Sequence, residues 1–136
     1  MTARLLLVAV SLVVLPRVTV YAAGQPYKNV DVQQFEKLRA NTNNVVLDVR
    51  TKKEFEAGHM PGATNIDINA PDFSEKMAKL DKNKTYLVHC AAGRRSARAC
   101  EKLGTMNFKQ LYNLEGGYTA WEKAGNKGEK PQGSAK

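Results

Sequence analysis

Thr85-Tyr86-Leu87-Val88-His89-Cys90-Ala91-Ala92-Gly93-Arg94-Arg95-Ser96 decides how the rest of the chain is read. Its first residues are β-branched, aromatic and apolar, the composition of a buried strand. From Ser96, Ala97-Arg98-Ala99-Cys100-Glu101-Lys102-Leu103 supplies good helix formers, and Gly104 reads as the stop signal. Between strand and helix lies a short loop with one cysteine, small residues and two arginines. Such a unit turns several backbone N–H groups and the positive end of a helix toward one spot, where the Cys90 sulfur is expected. A thiol in that nest, with Arg94 and Arg95 beside it, is expected to titrate low and to exist largely as thiolate at neutral pH. The plain alternative is a buried cysteine acting as a small hydrophobe. A core position, however, has no need of a side-chain-poor turn followed by two cations. A disulfide to Cys100 is disfavoured because that residue sits more than a turn into the outgoing helix, beyond the roughly 7 Å Cα limit. Both thiols are expected free.

Working outward, strands and helices alternate. Tyr27 to Val30 is a short strand candidate, and Asp31 with Gln34 reads as a capping box opening a helix to about Ala40. Val45-Val46-Leu47-Asp48-Val49 is a nearly continuous apolar run, as expected for a strand covered on both faces. Thr51 with Glu54 forms a second capping box, closed by Gly58. Ala63 to Ile66 is a third strand, and Pro71-Asp72 opens a helix with Phe73, Met77 and Leu80 on one side. After the central motif come a strand at Gln110 to Asn113 and a last helix from Tyr118 to Ala124. The expected fold is α/β: an open, mostly parallel five-stranded sheet flanked by helices on both faces. Sites in such sheets lie outside the carboxyl ends of the strands, which puts Cys90 and Arg50 on one rim.

The domain is expected to span residues 25–125 of the 136. Residues 1–24 read as a signal peptide: Arg4, a short apolar run from Leu5 to Leu15, Pro16, then small residues around Ala22 and Ala23. That implies a periplasmic or secreted protein, with an uncleaved anchor and an organelle transit peptide as alternatives. The run is shorter than the ~20 residues of a membrane span, so no stable span is expected after its removal. Residues 126–136, rich in Gly, Lys and Pro, read as a flexible basic tail. The net charge of +8 invites a nucleic-acid reading. Its distribution points elsewhere: the lysines cluster around one helix and at the C-terminus, without interleaved aromatic residues. No nucleic acid is expected, although the charge suits anionic substrates. No metal-ligand spacing occurs, and no cofactor is expected.

The loop resembles the active loop of the rhodanese sulfurtransferases, typically Cys-x-x-Gly-x-Arg-Ser, and matches it as Cys90-Ala91-Ala92-Gly93-Arg94-Arg95-Ser96. Asp48-Val49-Arg50, Glu54-Phe55, Gly58-His59-Met60-Pro61-Gly62-Ala63 and Leu114-Glu115-Gly116-Gly117-Tyr118-x-Ala120-Trp121 resemble further motifs of that family, in its order. The resemblance covers roughly residues 27 to 125. It implies ping-pong sulfur transfer: Cys90 takes the sulfane sulfur of thiosulfate as a persulfide and passes it to cyanide or a thiol. Substrate contacts are then expected from Ala91, Ala92, Gly93, Arg94, Arg95, Ser96 and Arg50. Arg95 is expected to be a wall of the site with a structural share, and Arg94 the more exposed contact. The partners implied are a small anionic sulfur donor, a thiol or cyanide acceptor, and a protein partner if sulfur is relayed.

Outside the loop, Arg50 reads either as a rim residue or as a surface arginine after a strand. Asp48 reads as a loop anchor, His89 as a packed strand histidine facing away from the thiol, His59 as a turn stabiliser and Trp121 as core. Gly93, Gly116 and Gly117 are expected to serve conformations other residues resist. A phosphatase or arsenate reductase would need His-Cys-x5-Arg. Here only four residues separate Cys90 from Arg95, a cradle too tight for a tetrahedral phosphate. A persulfide carrier or redox sensor with little turnover is the alternative from another class. Ala91 stands where many thiosulfate-using relatives carry Arg or Lys, a departure that bears on the identity of the donor and the rate on thiosulfate.

Overall fold

The computed structural model describes residues 24–132. The proposed signal segment lies outside the described residues, apart from Gly24. The elements alternate as β1 (Lys28–Val30), α1 (Val32–Arg39), β2 (Val45–Asp48), α2 (Lys52–Ala57), β3 (Thr64–Asn65), α3 (Phe73–Ala78), β4 (Thr85–His89), α4 (Arg94–Thr105), β5 (Gln110–Leu114) and α5 (Gly117–Lys123). All four strand pairings are parallel and give the order β1-β5-β4-β2-β3. β4, the strand that ends at the cysteine, is therefore central, and β2 beside it delivers Arg50 to the same rim. Asp48 is in register with His89, and the Val49 amide donates to the His89 carbonyl at 3.0 Å.

Two cores cover the sheet. On one face Leu47, Val49, Tyr86, Val88, Cys90 and Leu111 pack under α3 and α4 through Phe73, Met77, Ala99, Cys100 and Leu103. On the other, Val30, Val46, Leu87 and Leu114 pack under α1 and α5 through Phe35, Tyr118 and Trp121. Strand alternation explains the split: Tyr86, Val88 and Cys90 share one face, while Leu87 and His89 take the other.

Three local expectations change. The capping box at α1 is half formed: Asp31 accepts from the Gln34 amide at 2.8 Å, with no reciprocal bond from Gln34. The box at α2 is complete between Thr51 and Glu54. Gly104 is not a stop, since α4 runs through it to Thr105 and the turn comes at Asn107, with φ 67°. Gly104 is there for packing, because a Cβ on it would lie 2.3 Å from the Cβ of Pro26. Finally, part of the stretch read as a flexible tail is tied down. His59 and Glu129 form an antiparallel bridge, with amide-to-carbonyl bonds of 2.9 and 2.8 Å, and Asn126 Nδ2 donates to the Trp121 carbonyl at 3.0 Å. Local composition cannot reveal such a bridge, because its partner lies 70 residues upstream.

Candidate active site

β4 ends in His89, and the chain turns at once through Cys90-Ala91-Ala92-Gly93 into α4. Gly93 makes the turn possible at φ 100°, and a Cβ there would press on the Gly116 nitrogen and Leu114 carbonyl at 3.3 Å. The loop is clamped from α5. The Tyr118 amide donates to the Cys90 carbonyl at 2.8 Å and the Thr119 amide to the Ala91 carbonyl at 3.0 Å. Gly117 permits this approach: at φ 60°, a Cβ would stand 2.6 Å from the Cys90 and Ala91 carbonyl oxygens. With its carbonyls drawn outward, the loop is free to turn amides inward.

Those amides meet the sulfur. The Gly93 N–H donates to Cys90 Sγ at 3.1 Å, and the Ser96 hydroxyl lies 3.4 Å from it. Burial alone would push the Cys90 thiol up. Against it act the Ser96 hydroxyl and the Ser96, Ala92 and Gly93 amides, and the thiol titrates below its ordinary value. Cys90 is only 1% exposed as a residue. The residue packs in the core cluster, and its sulfur has hydrogen-bond donors within reach. The nest expected at this turn is there, made of amides and one hydroxyl, and the Arg95 guanidinium interacts with the sulfur as well. Cys100, in the same core cluster, shows the contrast. Burial, then the charges of Glu101 and Cys90, push it to about 12. Both cysteines are free.

Arg94 is exposed at the mouth of the loop, as is Ala92. Arg95 turns back across the rim, and its Nη1 and Nη2 donate to the two oxygens of Glu54 at 2.9 and 2.8 Å. Glu54 chiefly, and further down the order the Cys90 sulfur, hold its guanidinium protonated. Arg95 thus spans a structural ion pair and the reacting centre. Arg50 is buried at 5% exposure, which removes the surface reading. Its Nε and Nη2 grip Asp48 at 2.7–3.1 Å, Nη2 also donates to the Gly58 carbonyl at 2.8 Å, and its Cζ sits 4.2 Å from the centre of the Tyr118 ring. Asp48 also accepts from the Arg50 amide at 3.0 Å, a loop anchor as expected.

His89 is fully buried between Phe35 and Tyr118, away from the thiol. Its Nδ1 lies 3.3 Å from the Cys90 carbonyl, and burial first of all pushes its pKa down. His59 stacks on Phe55 and its Nδ1 bonds the Phe55 carbonyl at 3.0 Å, a turn role. Trp121 is core, with Nε1 donating to Glu36 at 2.7 Å. Sequence reasoning missed Tyr118. Its ring under Arg50 and its amide on the Cys90 carbonyl were visible only as part of a Gly-Gly-Tyr motif.

The family model of the rhodanese-like domain matches residues 31–124. The chain belongs to the rhodanese-like family. It is 40% identical to YtwF of Bacillus subtilis over 87 residues, covering 64% of this chain and 82% of that protein. It is 31% identical to the thiosulfate sulfurtransferase GlpE of Ectopseudomonas mendocina over 95 residues, covering 70% and 84%. The rhodanese-related protein of Thermoplasma volcanium superposes with a TM-score of 0.67 at 30% identity, covering 76% of this chain and 98% of that one. The five-stranded parallel sheet is the rhodanese-like fold, and at family level the domain is a sulfurtransferase. Among its described residues no cluster of three or more His, Cys, Asp or Glu is placed to hold a metal. Nor is any helix among them long and apolar enough to cross a membrane.

Proposed function

We propose that Cys90 carries a sulfane sulfur from thiosulfate or a related donor to a thiophilic acceptor, cyanide or a thiol. One observation supports this above the rest: the Gly93 amide and Ser96 hydroxyl converge on Cys90 Sγ. The thiolate attacks the outer sulfur of thiosulfate, the S–S bond of the donor breaks, and sulfite leaves with the bonding pair. Cys90 becomes a persulfide anion, whose terminal sulfur inherits the donors that had lowered the thiol. Attack by cyanide gives thiocyanate, and attack by a thiolate gives a new persulfide. Either acceptor returns Cys90 as thiolate, and no redox partner is needed.

Arg95, fixed by Glu54, supplies a placed guanidinium for the sulfonate end of the donor, and Arg94 an exposed one. Arg50 orders the rim through Asp48, Gly58 and Tyr118. Ala91 stands where many thiosulfate-using relatives carry a cation. That feature favours a second reading, a persulfide carrier loaded by a partner protein. We read residues 1–24 as an export signal, which places the domain in the periplasm or outside the cell; N-terminal sequencing of the mature protein tests that. The functional test is steady-state transfer by wild type and Cys90→Ser with several sulfur donors. Turnover lost in the variant supports the enzyme. A stable Cys90 persulfide without turnover supports the carrier, and transfer that survives in the variant overturns both.

A further inference from the structure

Strand alternation puts Asn113 of β5 on the same side of the sheet as Leu111, at the edge of the core that holds Cys90. An aliphatic side chain there would continue that core, yet the position holds an amide, buried at 4% exposure. Its Nδ2 donates to Asn29 Oδ1 of the neighbouring β1 at 2.9 Å, and the same nitrogen reaches the Gly93 carbonyl at 3.5 Å. Its Oδ1 is buried and has no hydrogen-bond partner among the described residues. Turning the amide over is no remedy, because the Gly93 carbonyl only accepts and the nitrogen must face it. A buried polar atom without a partner is costly, so the residue that keeps one calls for a reason.

The reason lies in how few protons serve the active loop. The Gly93 carbonyl has two lone pairs and three donors around it: the Ala97 amide at 3.2 Å, the Ser96 hydroxyl at 3.1 Å and Asn113 Nδ2 at 3.5 Å. Ser96 has one proton and two acceptors within reach, that carbonyl and Cys90 Sγ at 3.4 Å. A proton held by the carbonyl is withheld from the sulfur. We propose that Asn113 is a positioning residue: together with the Ala97 amide it fills the Gly93 carbonyl, so that the Ser96 hydroxyl turns its proton to the Cys90 sulfur. The thiolate gains a donor in this way, and so does a persulfide anion at the same place. That consequence for transfer rests on the sulfurtransferase reading, whereas the hydrogen-bond arrangement does not.

The test is the pH dependence of iodoacetamide labelling, read on the Cys90 peptide, in wild type, Asn113→Leu, Ser96→Ala and the double variant. Leucine keeps the size of the side chain and removes its donor. Arg95 and Cys100, whose interaction the sulfur also feels, are unchanged in all four proteins. Asn113→Leu is expected to raise the pH midpoint and to slow labelling at neutral pH about fivefold, the loss of part of a hydrogen bond to a charged group. In the Ser96→Ala background the same substitution is expected to change the rate less than about twofold, because no hydroxyl proton remains to be directed. An unchanged rate in Asn113→Leu overturns the proposal. So does an equal loss in the Ser96→Ala background, which marks Asn113 as a structural support of the loop. If leucine abolishes a cooperative thermal melt, Asn113→Thr takes its place with the same expected values; it suits a strand and its hydroxyl is one bond too short for the Gly93 carbonyl. Transfer from thiosulfate is measured separately. A rate that falls in step with labelling supports the role in turnover. A wild type that transfers no sulfur overturns the sulfurtransferase reading, and the labelling series still decides where the Ser96 proton goes.

Discussion

Arg95 and Glu54, 41 residues apart in sequence, meet in a two-point ion pair of 2.9 and 2.8 Å at the edge of the active loop. Glu54 has two tasks at once. It completes the capping box of its own helix by accepting from the Thr51 amide at 2.9 Å, and it fixes the arginine that closes the Cys90 loop. The start of α2 and the start of α4 are thereby locked to each other.

Glu54→Gln breaks that lock. Because both side chains are partly exposed, at 26% and 35%, the loss of stability is expected to be only about 1 kcal/mol. Sulfur transfer falls further, about tenfold or ~1.4 kcal/mol in the barrier, as Arg95 loses its placement. Urea denaturation and kcat/KM check the two numbers.

The same pair predicts an acid dependence. Arg95 first of all, against the cost of burial and with help from Thr51, holds the Glu54 carboxyl at about 2, below its ordinary 4.5. A carboxylate lowered by folding stabilises fully above its unfolded value and loses that contribution as pH falls through its folded value. The stability gap between wild type and Glu54→Gln is therefore expected to shrink from pH 4.5 down to about 2. A gap that stays constant across that window contradicts the pairing.

Ser96→Ala removes the hydroxyl beside Cys90 Sγ. With one fewer donor to the thiolate, the pH midpoint of Cys90 alkylation moves upward. The rate at neutral pH falls about tenfold, as expected for losing a hydrogen bond to a charged group worth ~1.5 kcal/mol. Iodoacetamide labelling across pH reads both, and the variant and wild type converge at high pH.

Gly117→Ala is expected to damage the loop without touching the sulfur. The backbone there is left-handed, and the new methyl would meet the Cys90 and Ala91 carbonyls at 2.6 Å. A cost of about 1–3 kcal/mol and loss of most transfer activity should appear together in thermal melts and assays.

Much of this was legible in the chain itself. Strand, loop and helix around Cys90 are written in consecutive residues, and the Thr51–Glu54 box needs only a spacing of three. What the sequence left obscure depends on distant partners. Arg50 reads equally as a rim residue or a surface arginine until Asp48, Gly58 and Tyr118 close around it. Gly104 reads as a helix stop until Pro26 is seen against it. The segment beyond Gly125 has the composition of a loose tail, and only the backbone of His59 makes it a strap. The lowering of the Cys90 thiol was legible as a nest of amides beside two arginines, whereas the share of the Ser96 hydroxyl and the clamp from α5 that aims the loop were not.

On this reading the thiol held by Gly93 and Ser96 is the one that takes sulfur. Mass spectrometry of peptides from thiosulfate-treated protein tests it most directly. Added mass of one sulfur atom is expected on Cys90, none on Cys100, and none anywhere in Cys90→Ser. A persulfide on Cys100, or on Cys90 no more often than on Cys100, would contradict it.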